Sequence, residues 1–216
     1  MKILNLYAGI GGNRKFWTPN GNDHEITAIE NNPEIAKIYQ DFFPNDKMIV
    51  TDAHQYLLEH YKEYDFIWSS PPCPSHSDIR RCGTHRGQNE AIYPEMSLYQ
   101  EIILLDNFAP KKTKWIVENV KPYYNPLINP SISLGRHYFW LNFYINFEKQ
   151  KGVNHDKIKY NDTIYGFNLN EYKIEINKKR QILRNMVNPE IGLHILNRAL
   201  EITEADKYGQ SKLFES

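Results

Sequence analysis

The segment KILNLYAGIGGNR, residues 2–14, joins an apolar strand pattern to three closely spaced glycines. Gly9, Gly11 and Gly12 allow a tight turn after the strand and let the backbone approach a ligand closely. Taken alone, a glycine-rich turn of this kind is as often structural as functional. The segment predicts the first strand of an α/β sheet, with a candidate ligand site at the carboxyl end of that strand.

Strand and helix patterns alternate along the chain as far as residue 120. Further strand patterns cover residues 25–30, 47–52, 65–70 and 114–119, and helical spacing covers residues 33–43, 53–64 and 96–109. Alternation at this spacing is typical of a doubly wound, mostly parallel sheet. We therefore predict the α/β fold class.

The composition changes beyond residue 122. Residues 123–170 are rich in Asn, Pro, Gly and aromatic residues, with short alternating runs such as HYFWLNFYINF at 137–147. Such runs predict short strands and loops. From Asn177 to Thr203 helical spacing returns, with an interruption at Asn188 and Pro189.

Composition limits the kinds of protein that this chain can be. Its 216 residues suit about one large domain, and its 26 basic and 26 acidic residues give a formal net charge of zero. A globally basic nucleic-acid binder is therefore disfavoured, and any polyanion site must be a local patch. Two cysteines, Cys73 and Cys82, are too few for a disulfide framework and indicate reduced thiols. With no apolar run of bilayer length, we predict a cytoplasmic protein without membrane contact.

Two acids stand at the ends of successive strand patterns. Glu30 ends the second pattern and Asp52 the third. An acid at such a strand end can accept hydrogen bonds from ribose hydroxyls or an adenine amine, although each acid alone is more typical of a surface carboxylate or a helix cap. The chain lacks the glycine patterns of dinucleotide and P-loop sites. A nucleoside cofactor without phosphates, such as S-adenosylmethionine, fits this arrangement better.

The segment SSPPCPSHS, residues 69–77, places Cys73 directly after the fourth strand pattern. A free cysteine is most often a small buried hydrophobe. Two prolines at a strand end instead favour the rigid presentation of one thiol beside the ligand-binding edge. The segment therefore makes Cys73 a candidate nucleophile.

Five segments of the chain, in the same order, resemble the motifs of the cytosine-5 DNA methyltransferase family. The chain resembles a short bacterial or phage-type member of that family. They are LYAGIGG (6–12), SSPPCPSHS (69–77), VENV (117–120), GRHYFW (135–140) and LRNMVNPEIGLHIL (183–196). The resemblance implies a Rossmann-like catalytic domain and S-adenosylmethionine as cofactor. It also implies double-stranded DNA as the partner, with a flipped-out cytosine as the methyl acceptor.

The resemblance implies a role for each residue of a catalytic set. Cys73 adds to C6 of cytosine, and its thiolate requires a lowered pKa or a nearby cation. Glu118 donates to N3, a role that needs a protonated carboxyl, which burial favours. Arg136 stabilises negative charge at O2, and Asn119 holds the loop that carries Pro72 and Cys73.

The resemblance also implies a set of residues around the cofactor. This set comprises Tyr7, Ala8, Gly9, Gly11, Gly12, Glu30, Asn31, Asp52, Ala53, Pro71, Asn185 and Val187. The resemblance calls for no metal ligand.

DNA contacts are expected in a mobile loop over residues 75–94, which carries Ser77, Arg80, Arg81 and Arg86. We regard Cys82 in the same loop as incidental. The implied organisation is a catalytic and cofactor-binding domain (1–140), a small target-recognition segment (141–179) and a C-terminal helix completing the catalytic domain (180–216). The expected assembly is a monomer, with a cognate restriction endonuclease as a candidate functional partner.

The chain departs from the family pattern at a few positions. Asn5 and Tyr7 stand where the family usually has Asp and Phe, and Pro74 stands where Gln is usual. Leu134 and Tyr138 replace a Gln and an Arg, so the arginine motif keeps only Arg136. Two alternatives remain open at this stage: a tRNA cytosine-5 methyltransferase, and a non-catalytic nucleic-acid-binding relative.

Overall fold

The apolar segment at the start of the chain forms the strand β1 (Lys2–Leu6), which lies inside a seven-stranded sheet. The computed structural model describes residues 1–17, 24–88, 90, 92–145 and 163–212. The other strands of the sheet are β2 (Glu25–Glu30), β3 (Lys47–Val50), β4 (Phe66–Ser69), β5 (Lys114–Val120), β6 (Ile132–Leu134) and β7 (His137–Leu141). A separate two-stranded sheet pairs β8 (Thr163–Ile164) with β9 (Phe167–Asn168).

The order of strands in the large sheet is β3-β2-β1-β4-β5-β7-β6. Strands β1 to β5 are parallel, whereas β7 runs antiparallel to β5, and β6 antiparallel to β7. The winding reverses between β1 and β4, which makes this pair the switch point where open α/β sheets bind ligands. The predicted doubly wound, mostly parallel sheet is confirmed.

Six helices are found in the described residues: α1 (Pro33–Phe42), α2 (Ala53–His60), α3 (Asp78–His85), α4 (Ser97–Phe108), α5 (Ile176–Asn185) and α6 (Pro189–Lys212). Asn32 caps α1, because its side chain accepts hydrogen bonds from the amides of Glu34 and Ile35. Asp52 caps α2 through the amide of Gln55. None of the helices in the described ranges combines the length and apolarity that a bilayer crossing requires.

One face of the sheet is covered by α2 and α4. Leu4 and Leu6 of β1 and Ile67 of β4 are completely buried there, and Leu57 of α2 and Leu105 of α4 pack in the same cluster. Burying each such side chain contributes about 1.5–3 kcal/mol to stability. This core holds the parallel strands in register, so the residues that follow each strand start from fixed positions.

The segment expected to be a mobile loop over residues 75–94 is a helix in part. The helix α3 covers Asp78–His85, with Asp78 in its first turn and His85 in its last. An acid near the amino end and a base near the carboxyl end both suit the helix dipole. The loop expectation was therefore wrong for these eight residues, because basic side chains do not oppose helix formation when they face solvent.

The chain divides into two compact units. The first comprises Met1–Ala8 with Asp23–Tyr144, and the second Gly9–Asn22 with Ile145–Ser216. The glycine turn thus groups with the C-terminal part of the chain. The predicted division into a catalytic domain (1–140), a target-recognition segment (141–179) and a C-terminal helix (180–216) concerns the function of each part. It stays a prediction.

Close packing in the second unit depends on two glycines. A Cβ added to Gly12 would lie 2.7 Å from the Val187 carbonyl oxygen, and one added to Gly192 would lie 2.1 Å from the carbonyl oxygen of Asn13. Both contacts involve backbone atoms, which cannot rotate away as a side chain could. The first turn of α6 therefore lies directly against the residues that follow the glycine turn.

We predict that Gly192→Ala destabilises the protein by roughly 1–3 kcal/mol, since the new methyl group overlaps the backbone of Asn13. Without that overlap, alanine in a helix would be stabilising by about 0.5–1 kcal/mol. Denaturant unfolding measures the difference. Asn197→Ala, at an exposed position of the same helix, is the control and should be neutral or slightly stabilising. Equal stability of the Gly192 variant and wild type would contradict the packing.

Candidate active site

The loop after β4 presents Cys73 from a braced backbone. Asn119 of β5 donates through Nδ2 to the carbonyl of Pro71 at 2.9 Å, and this amide is buried. The Cys73 carbonyl accepts from the amides of His76 at 3.0 Å and Ser77 at 3.1 Å. Pro72, between Pro71 and Cys73, is exposed, and Cys73 is half-buried. Asn119 therefore contacts this loop, and its role in catalysis stays a prediction.

Glu118 lies in β5 and keeps only 6% of its surface exposed. Arg136 is exposed in the two-residue turn that joins β6 to β7, and its carbonyl accepts from the amide of Lys121 at 2.8 Å. Burial raises the pKa of the Cys73 thiol, the Glu118 carboxylate raises it further, and the Arg136 guanidinium acts in the opposite direction without outweighing them. The three predicted catalytic side chains are thus electrostatically coupled.

The expected lowering of the Cys73 pKa is therefore not found in the free protein. The nearby cation exists in Arg136, but a buried thiol next to a carboxylate favours its neutral form. A thiolate forms more readily once the negative charge of Glu118 is removed by protonation.

A histidine that the sequence analysis did not single out stands beside Glu118. The Nε2 atom of His137 is 3.6 Å from Oε1 of Glu118. The pairing of β5 with β7 explains the contact, because Val120 faces His137 and Glu118 faces Phe139, two positions along the same face. The only sequence signal that could have pointed to His137 is its position directly after Arg136.

The nucleophile loop also depends on a buried aromatic group. His76 is fully buried, and its Nδ1 lies 2.6 Å from the hydroxyl of Tyr124. The hydroxyl of Ser75 accepts from the amide of Glu95 at 2.9 Å. These contacts tie the segment after Cys73 to the chain on both sides of α4, and the sequence gave no motif for them.

The predicted cofactor residues of the first unit follow β1, β2, β3 and β4. Tyr7 and Ala8 follow β1, Asn31 follows β2, and Ala53 begins α2. Pro71 comes two residues after β4 and is buried. The parallel strands bring these positions to one edge, as expected from the strand order.

The two predicted acids differ in their surroundings. Glu30 is the last residue of β2, is 8% exposed and accepts from the amide of Asn32 at 2.9 Å. Asp52 is exposed, and its Oδ1 accepts from the amide of Gln55 at 2.7 Å. Asp52 is thus a helix cap, which the sequence had also suggested, and no described residue hydrogen-bonds its Oδ2. That oxygen suits the amine of a nucleoside.

The remaining predicted cofactor residues belong to the second unit. Gly9 and Gly11 have φ values of 54° and 84°, and a Cβ on Gly9 would meet no atom within 4 Å. Gly12 lies against Met186 and Val187. Asn185 ends α5 and is exposed, whereas Val187 is buried. The turn therefore combines open space with the backbone geometry that glycine permits.

The predicted DNA-binding residues lie in or beside α3. Ser77 precedes the helix and makes no side-chain cap, Arg80 lies within it, and Arg86 follows it. The guanidinium of Arg81 stacks over the ring of Tyr123 at 5.2 Å. Of the predicted recognition segment 141–179, residues 146–162 lie outside the described residues. No group of three or more potential metal ligands occurs in the described ranges.

A family model for C-5 cytosine-specific DNA methylases matches residues 1–126 of the chain. The chain belongs to this family. The match covers the glycine turn, the Cys73 loop and the Glu118–Asn119 pair. The family uses S-adenosylmethionine as its methyl donor.

Individual relatives are more distant. A tRNA (cytosine(38)-C(5))-methyltransferase from Spodoptera frugiperda is 29% identical over 130 residues, covering 59% of this chain and 37% of the relative. A crystal structure of a Spodoptera frugiperda DNMT2 mutant is 26% identical with a TM-score of 0.39, covering 56% of this chain and 35% of that one. A structure of the Entamoeba histolytica methyltransferase EhMeth is 16% identical with a TM-score of 0.35, covering 56% and 38%. The chain spans little more than a third of the length of these relatives.

We predict that Asp52→Asn weakens S-adenosylmethionine binding without loss of stability. Asparagine is as good a helix cap as aspartate, but it replaces the free acceptor Oδ2 with a donor. Calorimetry should show a loss on the order of 1–3 kcal/mol. Asp52→Ala, the matched variant, should lose both affinity and helix stability. Wild-type affinity in both variants would remove Asp52 from the cofactor site.

We predict that Glu118→Gln accelerates alkylation of Cys73 at fixed pH. Because burial and Glu118 raise the pKa of the thiol, its reaction with iodoacetamide should be slow at neutral pH and rise as pH increases. Removing the carboxylate charge should speed it several-fold, because one of the two causes that raise the pKa of the thiol is then absent. A Cys82→Ser background leaves Cys73 as the only thiol. An unchanged or slower rate in the Glu118 variant would contradict the coupling.

Proposed function

We propose that this protein is a DNA (cytosine-5)-methyltransferase that acts through a covalent cysteine adduct at C6. The observation that carries the proposal is the coupling of the Cys73 thiol to Glu118 and Arg136, in a loop that Asn119 anchors. A thiol, a buried acid and a cation in one place supply a nucleophile and the means to polarise its target. Family membership adds the reaction class.

The first step is polarisation of the cytosine ring. Glu118, when protonated, donates to N3 and accepts from the N4 amine, and Arg136 stabilises negative charge at O2. Protonation of Glu118 also removes the charge that, together with burial, raises the pKa of the Cys73 thiol. The thiolate is therefore generated where the base is bound and much less in the free protein.

The second step is addition of the Cys73 sulfur to C6. The new C–S bond moves electron density to C5, which becomes a nucleophile. Bound S-adenosylmethionine would supply the electrophilic methyl group for C5, and its sulfonium would leave as the neutral thioether of S-adenosylhomocysteine. Loss of the C5 proton to solvent and expulsion of the thiolate then restore the aromatic ring and free Cys73.

Access to the base requires extrusion from the duplex, since C6 is stacked inside B-DNA. Arg81 in α3 and Arg86 directly after it are exposed on the segment that follows Cys73, where they can contact phosphates. Arg80, in the same helix, is assigned the same role. Residues 141–179 are proposed to read the target sequence.

A tRNA cytosine-5 methyltransferase is the second candidate. It is favoured by the similarity to the Spodoptera frugiperda enzyme, whose name states that substrate. Both candidates use the same chemistry at Cys73 and Glu118, so only the nucleic acid distinguishes them.

We predict that wild-type protein forms a covalent adduct with duplex DNA in which 5-fluorocytosine replaces cytosine throughout. Fluorine cannot leave as a proton would, so the C–S bond persists after methyl transfer. The complex should survive denaturation, and mass spectrometry should place the bond on Cys73. Full replacement of cytosine makes knowledge of the target sequence unnecessary.

Parallel reactions with tRNA containing 5-fluorocytosine decide between the substrates. An adduct with tRNA alone would favour the second candidate, and no adduct with either would contradict both. Cys73→Ser is the negative control and Cys82→Ser the matched positive control. A bond on Cys82 would overturn the mechanism.

A further inference from the structure

The most completely enclosed acid of the first unit is not Glu118 but Glu101 in α4, which has no exposed surface. Its Oε1 accepts from the hydroxyl of Tyr7 at 2.6 Å and lies 3.0 Å from Nδ1 of His54, and its Oε2 accepts from the hydroxyl of Ser69. An unpaired carboxylate at this depth would be strongly destabilising. Three donors from three different elements satisfy it instead.

This network lies at the switch point of the sheet. Tyr7 directly follows β1, and Ser69 is the last residue of β4, the two strands between which the winding reverses. His54 is in the first turn of α2, two residues after Asp52. Glu101 therefore bonds to groups from three of the segments that border the expected cofactor edge, although none of the catalytic steps uses it.

Tyr7 is also one of two residues other than glycine with positive φ in the described part of the chain, at 54°. A tyrosine rarely adopts this conformation, which persists only where surrounding contacts impose it. The hydrogen bond from its hydroxyl to Glu101 is such a contact. It fixes both the ring and the backbone immediately before Ala8 and the glycine turn.

We propose that Glu101 is a positioning residue for the methyl donor, holding Tyr7 in place at the cofactor edge through its hydrogen bonds with Tyr7, Ser69 and His54. The inference rests on the proposed function in taking this edge as the S-adenosylmethionine site. It assigns a task to three side chains, Glu101, His54 and Ser69, that have no part in the chemistry at Cys73.

The charges in the network predict how it responds to pH. The hydrogen bond between His54 and Glu101 raises the pKa of His54, whereas burial lowers it. The negative charges of the Glu101, Asp52 and Glu95 carboxylates raise this pKa further. Burial and Glu101 also raise the pKa of Tyr7, so its phenol stays a neutral donor. His54 is about one quarter exposed, so solvent screens part of the pair.

A raised pKa in the folded state determines the direction of the pH effect. The ion pair of His54 with Glu101 is fully present below about pH 6.5, the ordinary value for histidine. It is lost as pH rises through the raised pKa of His54. Affinity for S-adenosylmethionine should therefore fall over that range in the wild-type protein.

The test measures S-adenosylmethionine binding by calorimetry from about pH 6 to pH 9, a range that brackets the ordinary histidine value. Tyr7→Phe keeps the ring and removes the hydroxyl, so affinity should fall roughly five- to tenfold at every pH, the effect of one lost hydrogen bond. His54→Gln keeps a donor without the titration, so the fall in affinity with pH should disappear. In steady-state assays the loss should appear in KM for S-adenosylmethionine rather than in kcat.

His60→Gln is the matched control. His60 lies in the same helix and also contacts an acid, with Nδ1 2.8 Å from Glu63, but it is at the opposite end. This variant should keep the wild-type pH profile. Thermal melting of each variant separates loss of fold from loss of positioning, and if Glu101→Gln fails to fold, Tyr7→Phe and His54→Gln still decide the question.

Two results would overturn the inference. One is wild-type affinity in folded Tyr7→Phe together with an unchanged pH profile in His54→Gln. The other is a loss confined to kcat. If the wild-type protein itself binds no S-adenosylmethionine, the proposed function fails and the inference fails with it, whereas normal wild-type binding with unaffected variants removes the inference alone.

Discussion

The parallel pairing of β1 with β4 is the constraint on which the rest of the structure depends. Its register sets Leu6 opposite Ser69, so the segments that leave the two strands begin side by side. One segment continues through Tyr7, and the other continues through Pro71 to Cys73. Since the winding reverses at this pair, the edge beyond it is where an open α/β sheet takes its ligand. The expected cofactor edge and the loop that carries Cys73 therefore follow neighbouring strands.

Glu101 and Glu118, two buried acids of the first unit, differ in their hydrogen-bond partners and therefore in what they can do. Glu101 is satisfied by three side chains, so its acceptor capacity is used. Glu118 makes no side-chain hydrogen bond in the part of the chain that the structure describes, and has only His137 at ion-pair distance. A buried carboxyl with unused capacity can bind a base and change its protonation state, whereas a saturated one cannot do so without breaking the network.

The sequence anticipated the local features well and the long-range contacts poorly. The strand patterns, the glycine turn and the Asp52 cap were all predictable, because each depends on residues a few positions apart. The contact of Tyr7 with Glu101 joins residues 94 positions apart, and that of His54 with Glu101 spans 47. Neither contact carries a motif. The helix α3 was missed because its basic, glycine-containing segment has no apolar stripe to mark it.

The sequence by itself determined the alternation of strands and helices, the family, and the candidates Cys73, Glu118 and Arg136. These follow from periodicity and from ordered motifs, which are properties of the chain alone. Only the tertiary structure decided that Cys73 has a raised pKa, and that Glu101 joins Tyr7, directly after β1, to Ser69 at the end of β4. The physical reason is that burial and charge pairing depend on which distant residues share a low-dielectric environment, and no local pattern encodes that.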